Sequence, residues 1–332
     1  MKVLPTIGVL SLALASLGYA EPNVPGLKPC PRGVYVVLPN DDPDLSSRVC
    51  WSDPNIKGVL LRTRWNSVEP ALGVFDWSYF DAGIALCRSR NKLAQLQISC
   101  GLLAPTWLYT NGATIWYPTS GGQMPCPWCA VMQSSISELI TAFGVRYDSN
   151  PTVASVTMWA GGKNIECFFA QTQDEIDALE AAGGPSVWAK ASKNIIRMFA
   201  TAFPTTQLYL ACGHACSDCD ATMTKVARWA RAAYKRRIGL QSNALSANYP
   251  SFDPSRGYTE FPHTTIPVDK VRWTGYQMLG PIRGQKMEGE TLVECLQNAL
   301  NCNTAWVEVY PEDPATDPGE SSIIAFNTAV EG

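Results

Sequence analysis

Short apolar runs recur along the chain, each closed by turn-forming residues. The first is Gly33-Val34-Tyr35-Val36-Val37-Leu38, stopped by Pro39-Asn40, and it reads as a buried strand. Comparable runs at 58–65, 93–100, 153–159, 207–212, 238–242, 271–278 and 304–310 bring the candidate strands to eight. Their apolarity reads as continuous rather than alternating, which predicts a parallel sheet covered on both faces. Between the runs lie stripes at helical spacing: Trp77, Phe80, Ile84 and Cys87, then Ile136, Leu139, Ile140 and Phe143. Trp188, Ala191, Ile195 and Phe199 form a third stripe, Met223, Val226, Ala227, Ala230 and Tyr234 a fourth, and Leu292, Cys295, Leu296 and Ala299 a fifth. Eight strands with helical crossovers predict an α/β fold, a (β/α)8 TIM barrel, with an open doubly wound sheet as the alternative. The connection between the sixth and seventh strands reads as loop. No linker, repeat or low-complexity tract divides the chain, so residues 21–332 are expected to form one barrel domain.

Composition narrows the function. The 332 residues are 46% hydrophobic with a net charge of −3, which excludes a disordered chain and a nucleic-acid binder driven by phosphate attraction. Only two histidines occur, His214 and His263, and no Gly-rich phosphate loop is present, so neither a metal nor an organic cofactor is expected.

Lys2, an apolar stretch over 3–17 and the triplet Gly18-Tyr19-Ala20 read as a secretory signal peptide, residues 1–20. The stretch is too short for a membrane anchor and contains Pro5. Secretion, to an extracellular or periplasmic space, is therefore expected. Twelve cysteines fit that oxidising setting, and the close spacings Cys126/Cys129, Cys212/Cys216/Cys219 and Cys295/Cys302 predict disulfide staples in long βα loops.

In such a barrel the chemistry collects at the carboxyl ends of the strands. The loop after the third strand carries Trp107, Tyr109, Trp116, Tyr117 and Trp128, and that between the sixth and seventh carries Tyr249, Phe252, Tyr258 and Phe261. Aromatic faces suit the CH faces of sugar rings, so these loops predict a carbohydrate substrate. The competing reading is a small hydrophobic cluster beneath the loops.

The run Arg62-Thr63-Arg64-Trp65-Asn66-Ser67-Val68-Glu69-Pro70, then Gly73-Val74-Phe75-Asp76-Trp77, and the Gly101, Pro105-Thr106-Trp107 element resemble barrel glycoside hydrolases, closest to family 42 β-galactosidases and their family 5 relatives. The resemblance implies an acid/base carboxylate after strand four and a nucleophilic carboxylate after strand seven. Glu166 stands at the first position, with Asn164 two residues before it. At the second, the chain offers Gln277, an amide that cannot serve as an anionic nucleophile. Glu308, within the apolar eighth strand, is the nearest alternative, followed by Glu312 and Asp313. Glycosidic cleavage needs one protonated and one ionised carboxyl group, so Glu166 and Glu308 are the candidate pair. Arg62, Trp107, Asn164, His214, Trp273, Tyr276, Gln277 and Trp306 are the candidate substrate-binding residues, while Glu69 reads as a structural acid fixing its loop. The expectation is a secreted glycoside hydrolase, with a catalytically inactive barrel that binds glycan or protein as the alternative, and a metal-dependent hydrolase as a weaker third.

Overall fold

The computed structural model describes residues 26–118, 121–160, 170–212, 216, 220–255, 257–258, 274–316 and 319–331. The expected signal peptide lies outside them. Eight parallel strands close into a barrel: β1 (Gly33–Asn40), β2 (Gly58–Arg64), β3 (Leu93–Ser99), β4 (Val153–Ala160), β5 (Gln207–Cys212), β6 (Ile238–Leu245), β7 (Thr274–Met278) and β8 (Trp306–Val309). Each strand pairs with its sequence neighbours, and β8 returns to β1 through Gly33↔Trp306 and Val36↔Val309. The longer helices are α1 (Ser78–Ser89), α2 (Ala130–Tyr147), α3 (Gln173–Ala181), α4 (Gly184–Ala202), α5 (Asp220–Tyr234), α6 (Leu292–Asn301) and α7 (Gly319–Glu331), with single turns at Trp65–Val68 and Thr106–Thr110. Between β6 and β7, the described part of the connection is a small hairpin, Phe252–Asp253 against Gly257–Tyr258. Among the described residues no helix is long and apolar enough to cross a membrane.

The predicted stripes bury as expected from their spacing. Phe80, Ile84 and Cys87 of α1 and Leu139, Ile140 and Phe143 of α2 are all buried, and Phe143 stacks on Trp77 and Phe80 with centroids 5.8 and 5.5 Å away. Each such ring contributes roughly 1.5–3 kcal/mol by leaving water. At Gly144 a Cβ would stand 2.2 Å from the Ala202 carbonyl oxygen, so only glycine lets α2 approach α4 this closely. Helix starts are capped by side chains where the sequence supplies them. At α6 the Thr291 hydroxyl accepts from the Glu294 N–H at 3.3 Å, and the Glu294 carboxylate accepts from the Thr291 N–H at 3.0 Å.

The inner face of the barrel departs from the expected continuous apolarity. Outward positions such as Val34, Val36, Leu96, Leu210, Tyr276 and Val307 join the main core against the helices. The intervening inward positions include Gln95, Gln97, Ser155, Thr157, Gln241, Gln277 and Glu308, all buried. The strands therefore alternate, with a polar interior. Its floor is aromatic: Trp306 packs on Tyr209 and Tyr35 at centroid distances of 4.9 and 6.4 Å. Glycines make the room, since a Cβ on Gly275 would sit 2.0 Å from the Trp306 ring and one on Gly58 2.5 Å from Tyr35.

Two of the expected staples do not form. Cys126 and Cys129 carry separate thiols, and so does Cys295. Cys295 lies inside α6 and Cys302 caps its end; seven helical residues span roughly 10 Å, beyond the roughly 7 Å Cα limit of a disulfide. Cys129 instead caps α2, where its sulfur accepts the Thr114 N–H at 3.3 Å and the N–H groups of the helix start hold the thiol below its usual range despite burial. Cys216 is disulfide-bonded, and the Cys219 position lies outside the described residues.

Candidate active site

The strand registers stack the inward side chains in layers of four contributed by alternate strands, as in other barrels of this kind. Leu60, Thr157, Gln241 and Glu308, from β2, β4, β6 and β8, share one layer. Val37, Gln97, Ala211 and Gln277 form the next toward the carboxyl ends, and Arg62, Asn243 and Tyr310 stand at the mouth above them. Hydrogen bonds run across and between layers. The Thr157 hydroxyl donates to Gln241 Oε1 at 3.1 Å, and Gln241 Nε2 reaches Asn243 Oδ1 at 3.0 Å and Glu308 Oε2 at 3.3 Å. Gln277 Nε2 reaches the Tyr310 hydroxyl at 3.4 Å.

Three of the sequence-predicted residues are thereby brought together. Arg62, Gln277 and Glu308 surround the Tyr310 phenol, whose pKa burial raises; the Arg62 cation and the Gln277 hydrogen bond oppose the rise, and Glu308 adds to it. Arg62 is half-buried and fixed by its Nε donating to the Leu38 carbonyl at 2.8 Å. Glu308 itself is 0% exposed. Gln97 was not singled out from sequence, yet it lies in the layer of Gln277, and its buried amide has no hydrogen-bond partner among the described residues. The same holds for Gln277 Oε1. Buried polar groups need partners, so these amides are suited to hydroxyl-rich molecules or water entering the mouth. Their signal was the period-two polar pattern Gln95, Gln97, Ser99 within β3.

Other expectations are corrected. Tyr276 points outward and is fully buried in the main core, because one step along a strand reverses the face. Trp306 plugs the barrel floor, below the polar layers, and is fully buried there. Neither ring faces the mouth. Trp107 is half-buried and donates its Nε1–H to the Glu69 carbonyl at 2.9 Å, edge-on to Trp65. The neighbouring rings largely pack on one another, with Trp116 buried and edge-on to Trp128, while Tyr117 and Phe252 are exposed. The hydrophobic cluster beneath the loops thus accounts for Trp107, Tyr109, Trp116 and Trp128, while Phe261 lies outside the described residues. Glu166, Asn164, His214 and Trp273 lie outside the described residues.

Three further acids near the mouth are engaged, whereas Glu312 is exposed. Glu69 accepts the Trp65 indole N–H and the Gly73 N–H, both at 2.9 Å, and burial raises its pKa; it fixes its loop. Asp41 follows β1 and binds Thr63, Ser67 and, at 3.4 Å, Arg64. Asp313, a weaker candidate for the second carboxylate, is fully buried and accepts N–H groups from Ile282 at 2.9 Å and Tyr310 at 2.8 Å, tying the loops after β7 and β8. Burial pushes its carboxyl up to about 6, partly offset by those two N–H groups. Because the folded chain then holds the proton more tightly than the unfolded chain, stability falls as pH rises from about 4 to about 6 and is level above. The expected loss is roughly 3 kcal/mol. Urea unfolding followed across this range will show that decline, and Asp313→Asn will flatten it; an unchanged pH profile in the variant would exclude Asp313 as its source.

No family model and no curated protein matches the chain. Among solved structures it is similar to the catalytic domain of beta-amylase from Paenibacillus polymyxa, with a TM-score of 0.61 and 13% identity over 90% of this chain and 99% of that one. At this identity the likeness is one of fold alone, a (β/α)8 barrel, and it points to neither family 42 nor family 5.

Proposed function

We propose that the protein is a secreted glycoside hydrolase that cleaves O-glycosidic bonds of a poly- or oligosaccharide with two carboxyl groups. The observation that carries this reading is a barrel interior lined by amides and hydroxyls around one carboxylate buried there among the described residues, Glu308, beneath a mouth holding Arg62 and Tyr310. In this account Glu166, protonated, delivers its proton to the departing oxygen. Glu308, ionised, stabilises or attacks the oxocarbenium-like centre, or activates a water. Arg62 favours the ionised form of a nearby acid, since an opposite charge within ~4–6 Å lowers a carboxylate pKa by 1–3 units. Gln277 and Arg62 bind sugar hydroxyls, together with Asn164, His214 and Trp273, and Trp107 steadies the loop of Glu69 through its indole N–H. No cofactor takes part.

A second reading has its own observation. The complete burial of Glu308, beneath the layer of Gln97 and Gln277, favours a barrel that binds glycan without cleaving it. Incubating the purified protein with a panel of polysaccharides and aryl glycosides, with product anomers followed by NMR, separates the two. Release of reducing ends supports the hydrolase, and the first anomer formed distinguishes retention from inversion. Binding without any product would establish the silent barrel instead.

A further inference from the structure

Charge is unevenly distributed along the chain. Residues 184–237 hold nine of the 26 Lys and Arg but only two of the 29 Asp and Glu, within a protein of net charge −3. Helix α4 contains no acid at all. Mixed signs are the usual pattern of a solvated helix, and like charges three or four residues apart repel.

Packing turns this bias into a groove. Ser186, Lys190, Lys193 and Arg197 follow one another at spacings of four, three and four on α4, and Thr222 and Lys225 share a face of α5, so the two stripes confront each other across a cleft of ≈ 410 Å³. Among the described residues no carboxylate lines it. Among the described residues no ion pair engages Lys190, Lys193, Arg197 or Lys225. Lys193 and Arg197 both lie over the Trp229 ring, 5.4 and 4.9 Å from its centroid, which fixes where these two charges stand. Ala189 and Val226 supply an apolar floor. The cleft runs along α4 from its first turn to beyond its middle, at Arg197, and along the first two turns of α5.

We infer that this groove binds an acidic polysaccharide, one carrying a carboxylate on its sugar rings, at a site on the barrel flank separate from the mouth. The cations match the carboxylates, Ser186 and Thr222 match ring hydroxyls, and the apolar floor matches a CH face. The cleft runs lengthwise between two packed helices with cations, hydroxyls and an apolar floor along it, which suits an extended chain of sugar rings. The inference does not rest on hydrolysis, because binding here is independent of turnover at the mouth.

Native affinity electrophoresis of the full chain in gels containing sodium polygalacturonate tests it, with neutral dextran as control. The protein should be retarded by polygalacturonate and not by dextran, and added salt should weaken the effect. The triple variant Lys190→Ala/Lys193→Ala/Lys225→Ala should bind roughly tenfold or more weakly with an unaltered circular dichroism spectrum, while the corresponding triple Lys→Arg variant keeps its affinity. The single variant Lys190→Glu, which alters the fold least, should show a smaller loss in the same direction. Free migration through polygalacturonate, wild-type binding by the alanine variant, or equal or tighter binding to single-stranded DNA or phosphatidylserine vesicles overturns the inference.

Discussion

Replacing Glu166 by Gln should lower turnover by roughly 10²–10⁴-fold while leaving substrate affinity within a few-fold, because the amide keeps the volume of the side chain and removes its transferable proton. Glu308→Gln should cause a loss of similar size through a different route, by removing the negative charge that the developing cation needs. The two variants differ in pH response. Turnover of the wild type should fall at high pH as the donor ionises, and in Glu166→Gln that alkaline limb should disappear from the residual activity. Steady-state kinetics on the substrate identified by the panel, with calorimetric binding to the inactive variants, measures both effects. Full activity in Glu166→Gln removes the proposed acid. Full activity in Glu308→Gln redirects attention to Glu312, since Asp313 is committed to the backbone of Ile282 and Tyr310.

Gly275→Ala should be the most damaging single methyl group in the barrel, costing about 3 kcal/mol or more. The new Cβ would lie 2.0 Å from the Trp306 ring, and neither partner can retreat. Gly275 is paired on one side with Gln241 and on the other with Trp306, while the indole is held against Tyr35 and Tyr209. Trp306→Phe alone should also destabilise, by opening a cavity. Combined with Gly275→Ala, the smaller ring accommodates the methyl, so the double variant should be more stable than the sum of the single losses implies. Urea denaturation of the four proteins gives the coupling directly. Additive losses would mean that the two residues do not share one packing constraint.

The number and order of the strands could be read from the sequence, because each buried strand must be apolar toward the helices and must end where Pro, Asn or Gly turns the chain. The crossover helices were legible for the same reason: a stripe at a 3.6-residue period buries only if the segment is helical. Face assignment was not legible to the same degree. Tyr276 and Gln277 are adjacent in an apolar run, yet one packs on the helices and the other lines the interior, and the parity is set by pairing with β6 and β8. The pairing of Gly275 with Trp306, thirty-one residues away, likewise exists only once the barrel closes. Cysteine spacing misled because Cys295 and Cys302 are near in sequence but held apart by a rigid helix. The loop-fixing contacts of Glu69 are local, since Trp65 and Gly73 lie close enough in the chain to claim its oxygens. The local code therefore specifies which segments become strand or helix and which residue types are present. Closure of the barrel, by fixing register and layer, determines which of them meet: Glu308 with Gln241, Gln277 with Tyr310, and the cations of α4 with those of α5, contacts between residues far apart in the chain that no local pattern encodes.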